Sequence, residues 1–317
     1  MDVQVDAQVV PGRETARRVS DDLFRQWLDY LDARPKTVAT YTRSVRQFFL
    51  WLTEHNITRP EREDIIAYRD QLLEHHKATT VQAYLAAVRQ FFRWTQMKGI
   101  YPDVADRVKG ARVDRNHKRD YLSERQAIKI LQKIDRETLK GKRDFALLAL
   151  MMTTGIRTVE VCRADVRDFS VMGGVSVLFL QGKGHDEKSE YVKVEPHSED
   201  AIREYLAAMG KRDPDGPLFC SLANRNPGGR MTTRSISRVV KQRMEDVNLI
   251  SDRLSAHSLR HTAATLNLLH GGTTEETQQL LRHANINTTM IYSHALERIR
   301  NDSEVRIGTA IFGGQND

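Results

Sequence analysis

Thr80-Val81-Gln82-Ala83-Tyr84, Val88-Arg89-Gln90-Phe91-Phe92 and Trp94 repeat, at an offset of 43 residues, Thr37-Val38-Ala39-Thr40-Tyr41, Val45-Arg46-Gln47-Phe48-Phe49 and Trp51. In each copy the tyrosine, the valine and the paired phenylalanines fall at helical spacing on one face, so their rings belong in a core rather than against bases. Such a period occurs in helical solenoids, but two copies are too few to bury a solenoid's faces. The repeat instead predicts two helical hairpins, or equivalent helix pairs, packed as one small bundle over residues 20–105. The flanks agree. Leu23, Phe24, Trp27, Leu28 and Leu31 recur at helical spacing from Asp21, and Pro102 closes the block. Residues 1–19 show no hydrophobic period and read as a flexible tail. Arg43, Arg46, Arg89 and Arg93 are expected on the polar faces, where they either meet phosphates or are simply solvated.

Outward from the bundle, residues 106–120 read as a basic linker. Within 107–119, Arg107, Lys109, Arg112, Arg115, Lys118 and Arg119 stand against one acid, Asp114. A basic joint between two domains suits contact with a polyanion. The whole chain leans the same way, with Lys+Arg 49 against Asp+Glu 42 and a formal net charge of +7 over 317 residues. That length suggests two domains, each able to bury its own core. Cys162 and Cys220 make no spaced pair, so neither a zinc site nor a disulfide framework is indicated, and a reducing compartment is expected. Met1–Asp6 lacks the basic and apolar blocks of a signal peptide. The longest apolar run, Phe145 to Met152, is far short of the roughly 20 residues a membrane span requires. A cytoplasmic protein with no membrane partner is the expectation.

Residues 121–317 read as a second domain. Ser123 is placed to cap a helix, with Gln126 at the third helical position. The segment opening at Lys142-Arg143-Asp144 is apolar through Phe145, Leu147, Leu148, Leu150 and Met151 and stops at Gly155. Val175 to Leu180 and Ser189 to Glu195 are strand-like and flank a glycine-rich turn. The remainder reads mainly as helix. This predicts a mixed α+β domain, mostly helical, with a small antiparallel sheet.

The chemistry-bearing residues are scattered over this domain. Arg157 follows the Gly155 turn, with Glu160 at i+3 to hold its guanidinium. Lys183 stands between Gly182 and Gly184, a flexible frame that can carry an ammonium into a groove; Lys188 beyond the same turn competes for that role. His257-Ser258-Leu259-Arg260-His261-Thr262 sets an imidazole and a guanidinium at i and i+3 on one helix face, where both can meet one phosphate. His261 reads as a structural hydrogen-bonding residue. His283 follows Leu281-Arg282, and Tyr292 lies nine residues beyond it. Two arginines, a lysine, two histidines and a phenol suit attack on a phosphodiester in which the protein supplies the positive charge. Phosphoryl transfer is mostly positioning and electrostatics, so prearranged cations can take a metal's place.

Motif by motif, these segments resemble the tyrosine recombinase (phage integrase) family, most strongly over 143–165 and 254–294. The resemblance implies a mainly α fold. Its parts would be an N-terminal four-helix core-binding bundle (SAM-like) and a mixed α+β catalytic domain of the tyrosine recombinase/type IB topoisomerase type, of Xer-like or minimal-integrase kind. It implies cleavage and rejoining of DNA through a 3′-phosphotyrosine, with Tyr292 as nucleophile and Arg157 and Arg260 on the non-bridging oxygens. His257 and His283 would hydrogen-bond or accept the phenol proton, and Lys183 would protonate the leaving 5′ oxygen. It implies no cofactor and no metal. The implied partner is double-stranded DNA at recombination sites, held as a homotetramer on two duplexes and open to an accessory directionality factor. The segment Ser303 to Phe312 would dock on a neighbouring subunit. One departure stands out: the family normally has a small residue before the histidine of the last motif, and here it is Arg282. A type IB topoisomerase-like relaxing enzyme and a catalytically silent DNA-binding protein of the same fold remain as alternatives.

Overall fold

The two copies of the repeat form α2 (Pro35–Glu54) and α4 (Ala78–Met97). In this computed structural model, which describes residues 3–6, 16–19, 21–112, 120–181 and 187–312, the two helices pack so that the first phenylalanine of each copy meets the second of the other. Phe48 faces Phe92 at 5.9 Å and Phe49 faces Phe91 at 5.1 Å between ring centroids, both edge-on. With α1 (Asp21–Tyr30) and α3 (Arg62–His75) they make a four-helix bundle. Trp27 of α1 lies edge-on to Phe91 at 5.5 Å, and Tyr68 of α3 to Phe48 at 5.0 Å. Edge-to-face rings add a little beyond their burial, so the repeat both builds the helices and selects their packing.

The chain divides into two compact units, Met1–Asn116 and His117–Asp317. Two features of the first differ from the sequence reading. Where a flexible tail is expected, β1 (Val3–Asp6) and β2 (Ala16–Val19) pair antiparallel, with Val3 opposite Val19. Strands of four residues are too short for period-two alternation to stand out. The second difference is the linker. Val108 and Ala111 are buried in the bundle core, and side chains of α3 and α4 grip the backbone around them. Arg62 Nη1 donates to Asp106 O (2.7 Å), Arg69 Nη1 to Lys109 O (3.0 Å) and Gln82 Nε2 to Ala111 O (2.6 Å). Arg89 also donates to Val108 O. Arg46 lies over the Phe24 ring, 5.4 Å from its centroid. Residues 106–112 are thus a strap on the bundle. Arg115, Lys118 and Arg119 lie outside the described residues.

The second unit is built around α6 (Leu139–Thr154), buried on nearly every side from Ala146 to Met152. It packs against α5 (Glu124–Lys133), α8 (Pro196–Met209) and α10 (Ala256–Leu269). The expected cap of α5 is present: Gln126 N donates to Ser123 Oγ and Ser123 N to Gln126 Oε1. The sheet runs β3 (Phe169–Met172), β4 (Val175–Leu180), β5 (Glu190–Lys193), all antiparallel, with Val177 opposite Lys193. Strand β3 goes unread in the sequence because Val171 and Met172 face outward, leaving no alternation. The remaining helices are α7 (Thr158–Arg163), α9 (Thr233–Glu245), α11 (Thr274–Leu281), α12 (Asn287–Arg300) and α13 (Ser303–Phe312). Among the described residues no helix is long and apolar enough to cross a membrane.

Trp27, Trp51 and Trp94, the chain's three tryptophans, all lie in the bundle, so their fluorescence reports that unit alone. Phe91→Ala, which leaves the reporters in place, is expected to lower bundle stability by about 3–5 kcal/mol in urea unfolding. A loss below about 1 kcal/mol would mean that the paired phenylalanines are not its core.

Candidate active site

Helix α6 ends at Gly155, in the left-handed region at φ +59°. A Cβ there would stand 2.6 Å from Leu281 Cδ2, so both the conformation and the close approach require glycine. The turn sets Arg157 at the N-cap of α7, one turn from Glu160. Glu160 is 0% exposed. Its Oε1 accepts from Arg157 Nη1 at 2.7 Å, and its Oε2 accepts from Arg157 N and from Arg282 Nη2, both at 2.8 Å. Burial pushes this carboxyl's pKa up, but Arg282 and Arg157 outweigh that and hold it below the usual carboxylate range.

Arg260 enters from α10, 2% exposed. Its Nη1 donates to Gly155 O at 2.6 Å and its Nη2 to Leu281 O. Arg157 Nη2 reaches Arg282 O at 3.5 Å. The two guanidiniums therefore hang from consecutive carbonyls at the end of α11. Burial, then the charges of Arg157 and Arg282, bring the Arg260 pKa down to about 9, which leaves it cationic at neutral pH. One turn before it, His257 is exposed, its ring edge-on to that of His261 with centroids 4.6 Å apart.

Arg282 caps α11 in the left-handed region, at φ +53°. The following turn is closed by His283 N donating to Gln278 O (3.1 Å) and Gln278 Nε2 donating to His283 O (2.9 Å). His283 Nδ1 pairs with Thr289 Oγ1 at 2.8 Å. Burial, followed by the charges of Arg260 and Arg157, lowers its pKa to about 4, so it is neutral at neutral pH. Tyr292, on α12, is 7% exposed and clusters with Ala264, Leu268 and Leu281. Its Oη and His261 Nδ1 are hydrogen-bond partners. Burial raises the phenol to about 12 against an opposing pull from Arg260.

Of the six residues singled out in the sequence, Arg157, His257, Arg260, His283 and Tyr292 gather at this junction of α7, α10, α11 and α12. Lys183, with Gly182 and Gly184, lies outside the described residues. Its competitor is committed elsewhere: Lys188 Nζ pairs with Asp165 Oδ2 at 2.5 Å and with Asp168 Oδ2. Two residues are more central than the sequence reading makes them. His261, read as structural, touches the Tyr292 phenol, and Arg282, noted as a departure from the family's small residue, joins the Glu160 cluster. The signals were present, since His261 lies one turn after His257 and Arg282 breaks the family's pattern. Neither signal names the contact.

Residues 120–298 match the phage integrase family, and residues 24–99 match the phage integrase N-terminal SAM-like domain. The tyrosine recombinase XerC of Pelobacter propionicus is 30% identical over 278 residues, covering 84% of this chain and 87% of that protein. The XerC of Thermodesulfovibrio yellowstonii is 27% identical over 269 residues, covering 81% and 85%. Two solved structures share the fold. XerH bound to palindromic difH substrate, in a post-cleavage complex, has a TM-score of 0.70 at 20% identity and covers 88% of this chain and 83% of that one. A lambda integrase (75–356) dimer bound to a COC′ core site has 0.65 at 15%, covering 84% and 94%. The chain belongs to the phage integrase family: it is a tyrosine recombinase, an enzyme of site-specific DNA recombination.

The depressed pKa of His283 has a consequence for stability. Its folded-state value of about 4 lies below the usual 6.5, so as pH falls the unfolded chain takes the proton first. Stability from this group is complete above about pH 6.5 and is lost as pH falls through about 4. His283→Asn, which keeps a polar partner for Thr289, is expected to lose less thermal stability than the wild type between about pH 7 and pH 5. Equal slopes would rule out a buried neutral imidazole at this position.

Proposed function

We propose that this recombinase cuts and rejoins double-stranded DNA without a metal, through a 3′-phosphotyrosine on Tyr292. The Tyr292 oxygen attacks phosphorus and the bond to the 5′ oxygen breaks. The phenol proton passes to an imidazole, His283 or His257, and the departing 5′ oxygen takes a proton from Lys183. A 5′ hydroxyl from a second strand reverses the sequence, so each bond broken is matched by one formed. Arg157 and Arg260 hold the two non-bridging oxygens and offset the charge that builds on them in the transition state. The observation that carries this reading is the pair of guanidiniums hung from adjacent carbonyls, with His283 and Tyr292 in the same cluster. The commitment of Lys188 to two aspartates supports Lys183 as the acid.

A phenol near pKa 12, 7% exposed and bound to His261, is a poor nucleophile where it lies. We read that arrangement as a resting state, which gives way when a phosphate enters and α12 shifts. The wider assembly is proposed on the same basis: a homotetramer joining two duplexes in the cytoplasm. Helix α13 supports it, since Val305, Ile307, Ile311 and Phe312 are exposed, Phe312 at 73%. A second copy of the chain is the proposed cover for that face.

On a nicked duplex that traps covalent product, Tyr292→Phe is expected to form no protein–DNA adduct while binding the duplex normally. Covalent capture by that variant would remove the nucleophile assignment. Arg157→Ala is expected to slow adduct formation by on the order of 10²–10³, the effect of losing one preorganised donor. A tenfold effect or less would make it a surface arginine. Adduct formation is expected to persist in excess EDTA; its loss there would contradict the cation-only mechanism.

A further inference from the structure

Arg282 sits where glycine would be at ease. A non-glycine residue in the left-handed region carries a cost of roughly 1–2 kcal/mol, so a side chain kept there calls for a compensating contact. Three are present. Arg282 Nη2 donates to Glu160 Oε2 at 2.8 Å, its Nη1 donates to Leu280 O at 3.0 Å, and its Nε lies 3.7 Å from Glu190 Oε2. Its own carbonyl accepts from Arg157 Nη2. Glu190 opens β5.

We propose that Arg282 is a positioning residue for strand cleavage, joining the carboxylate that fixes Arg157 to the start of β5. This rests on the role given above to Arg157. Two physical effects follow from the geometry. The first is charge. A buried carboxylate paired to Arg157 alone cancels the positive charge that a phosphate must feel. Shared between two guanidiniums, the same carboxylate leaves a net positive charge in the cluster, with half-exposed Glu190 as a weaker counterweight. The second is alignment. The α11 cap and Glu160 of α7 meet at one guanidinium, with Glu190 at the start of β5 in ion-pair range, and a planar fork fixes the first two as a lysine's point charge cannot. Arg282 itself touches no reacting atom; it acts through Arg157 and through β5.

The test is single-turnover adduct formation on the nicked duplex by Arg282→Gly, Arg282→Lys and Glu190→Gln, with Arg157→Ala and Tyr292→Phe alongside. Glycine relieves the backbone at this position but leaves buried Glu160 with one guanidinium fewer, so Arg282→Gly is expected to fold with a Tm below the wild type. Its adduct formation is expected to slow by on the order of 10²-fold, the cost of a misplacement of about 1 Å, with duplex binding kept. Arg282→Lys is expected to recover part of the rate, and Glu190→Gln to show a smaller loss. A purely structural cap would leave the pH–rate profile where it is. Loss of the Arg282 charge is instead expected to move the acidic limb to higher pH, because one cation facing His283 is gone. Arg282→Gly with the wild-type rate and pH profile, beside inactive Arg157→Ala and Tyr292→Phe, would overturn this inference and leave the proposed mechanism intact. Adduct formation by Tyr292→Phe would instead overturn the mechanism beneath it.

Discussion

A guanidinium buried to 2% exposure between two helix ends organises the second unit. Arg260 donates to Gly155 O, at the end of α6, and to Leu281 O, the last residue of α11. Carbonyls at helix C-termini lack intrahelical partners and carry the negative end of the helix dipole, so they can hold a cation. Both acceptors are dipoles rather than carboxylates, which stabilise the charge without neutralising it. Under the proposed mechanism, a phosphate arriving at this site would meet a cation whose desolvation is already compensated by the fold. The same two bonds fix the spacing between the Gly155 turn, which sets Arg157, and the turn after α11, which sets His283.

Arg157 is held by the opposite device. Glu160 is fully buried, and a buried carboxylate costs far more than it returns unless it is well bonded. It meets that condition with two guanidiniums and one backbone amide. Three arginines then face one buried carboxylate across a small volume, with neutral His283 beside them. The same cations that lower the His283 pKa and oppose the rise at Tyr292 give the site its appetite for an anion. Hydrogen bonds hold this cluster together against its own repulsion.

How much of this was legible in the sequence depends on the range of each interaction. The bundle was readable because its signal is periodic and occurs twice, and the phenylalanines that reveal it are the ones that pack. The end of α6 was readable because a glycine after an apolar helix is a local stop. Strand β3 was not, since its exposed Val171 and Met172 carry no alternation. The strap at residues 106–112 was hidden for a related reason: it is held by side chains of distant helices gripping its carbonyls, and carbonyls leave no trace in composition. Arg157, Arg260, His257, His283 and Tyr292 could be listed from motifs. Their convergence is a property of the tertiary fold, as is the retirement of Lys188 into the pair with Asp165 and Asp168. Arg282 shows the limit most clearly: an anomaly in sequence, it becomes intelligible only beside Glu160.

The placement of Tyr292 follows from these constraints. Under the role proposed for Tyr292, a nucleophile exposed beside Arg157 and Arg260 would be ready to attack any phosphodiester that diffused past. Covering the phenol with Ala264, Leu268 and Leu281 and pairing it with His261 would then raise the cost of reaching the attacking form. Helix α12 carries this tyrosine, and Asn301 and Asp302 alone separate its end from α13, whose apolar side chains are exposed. Under the proposed assembly, a second copy that covers α13 acts on α12 through that short connection. Cleavage then becomes conditional on a neighbour being present. For an enzyme that must not leave a broken strand without a partner to accept it, such a condition is worth a buried nucleophile and a slow resting state.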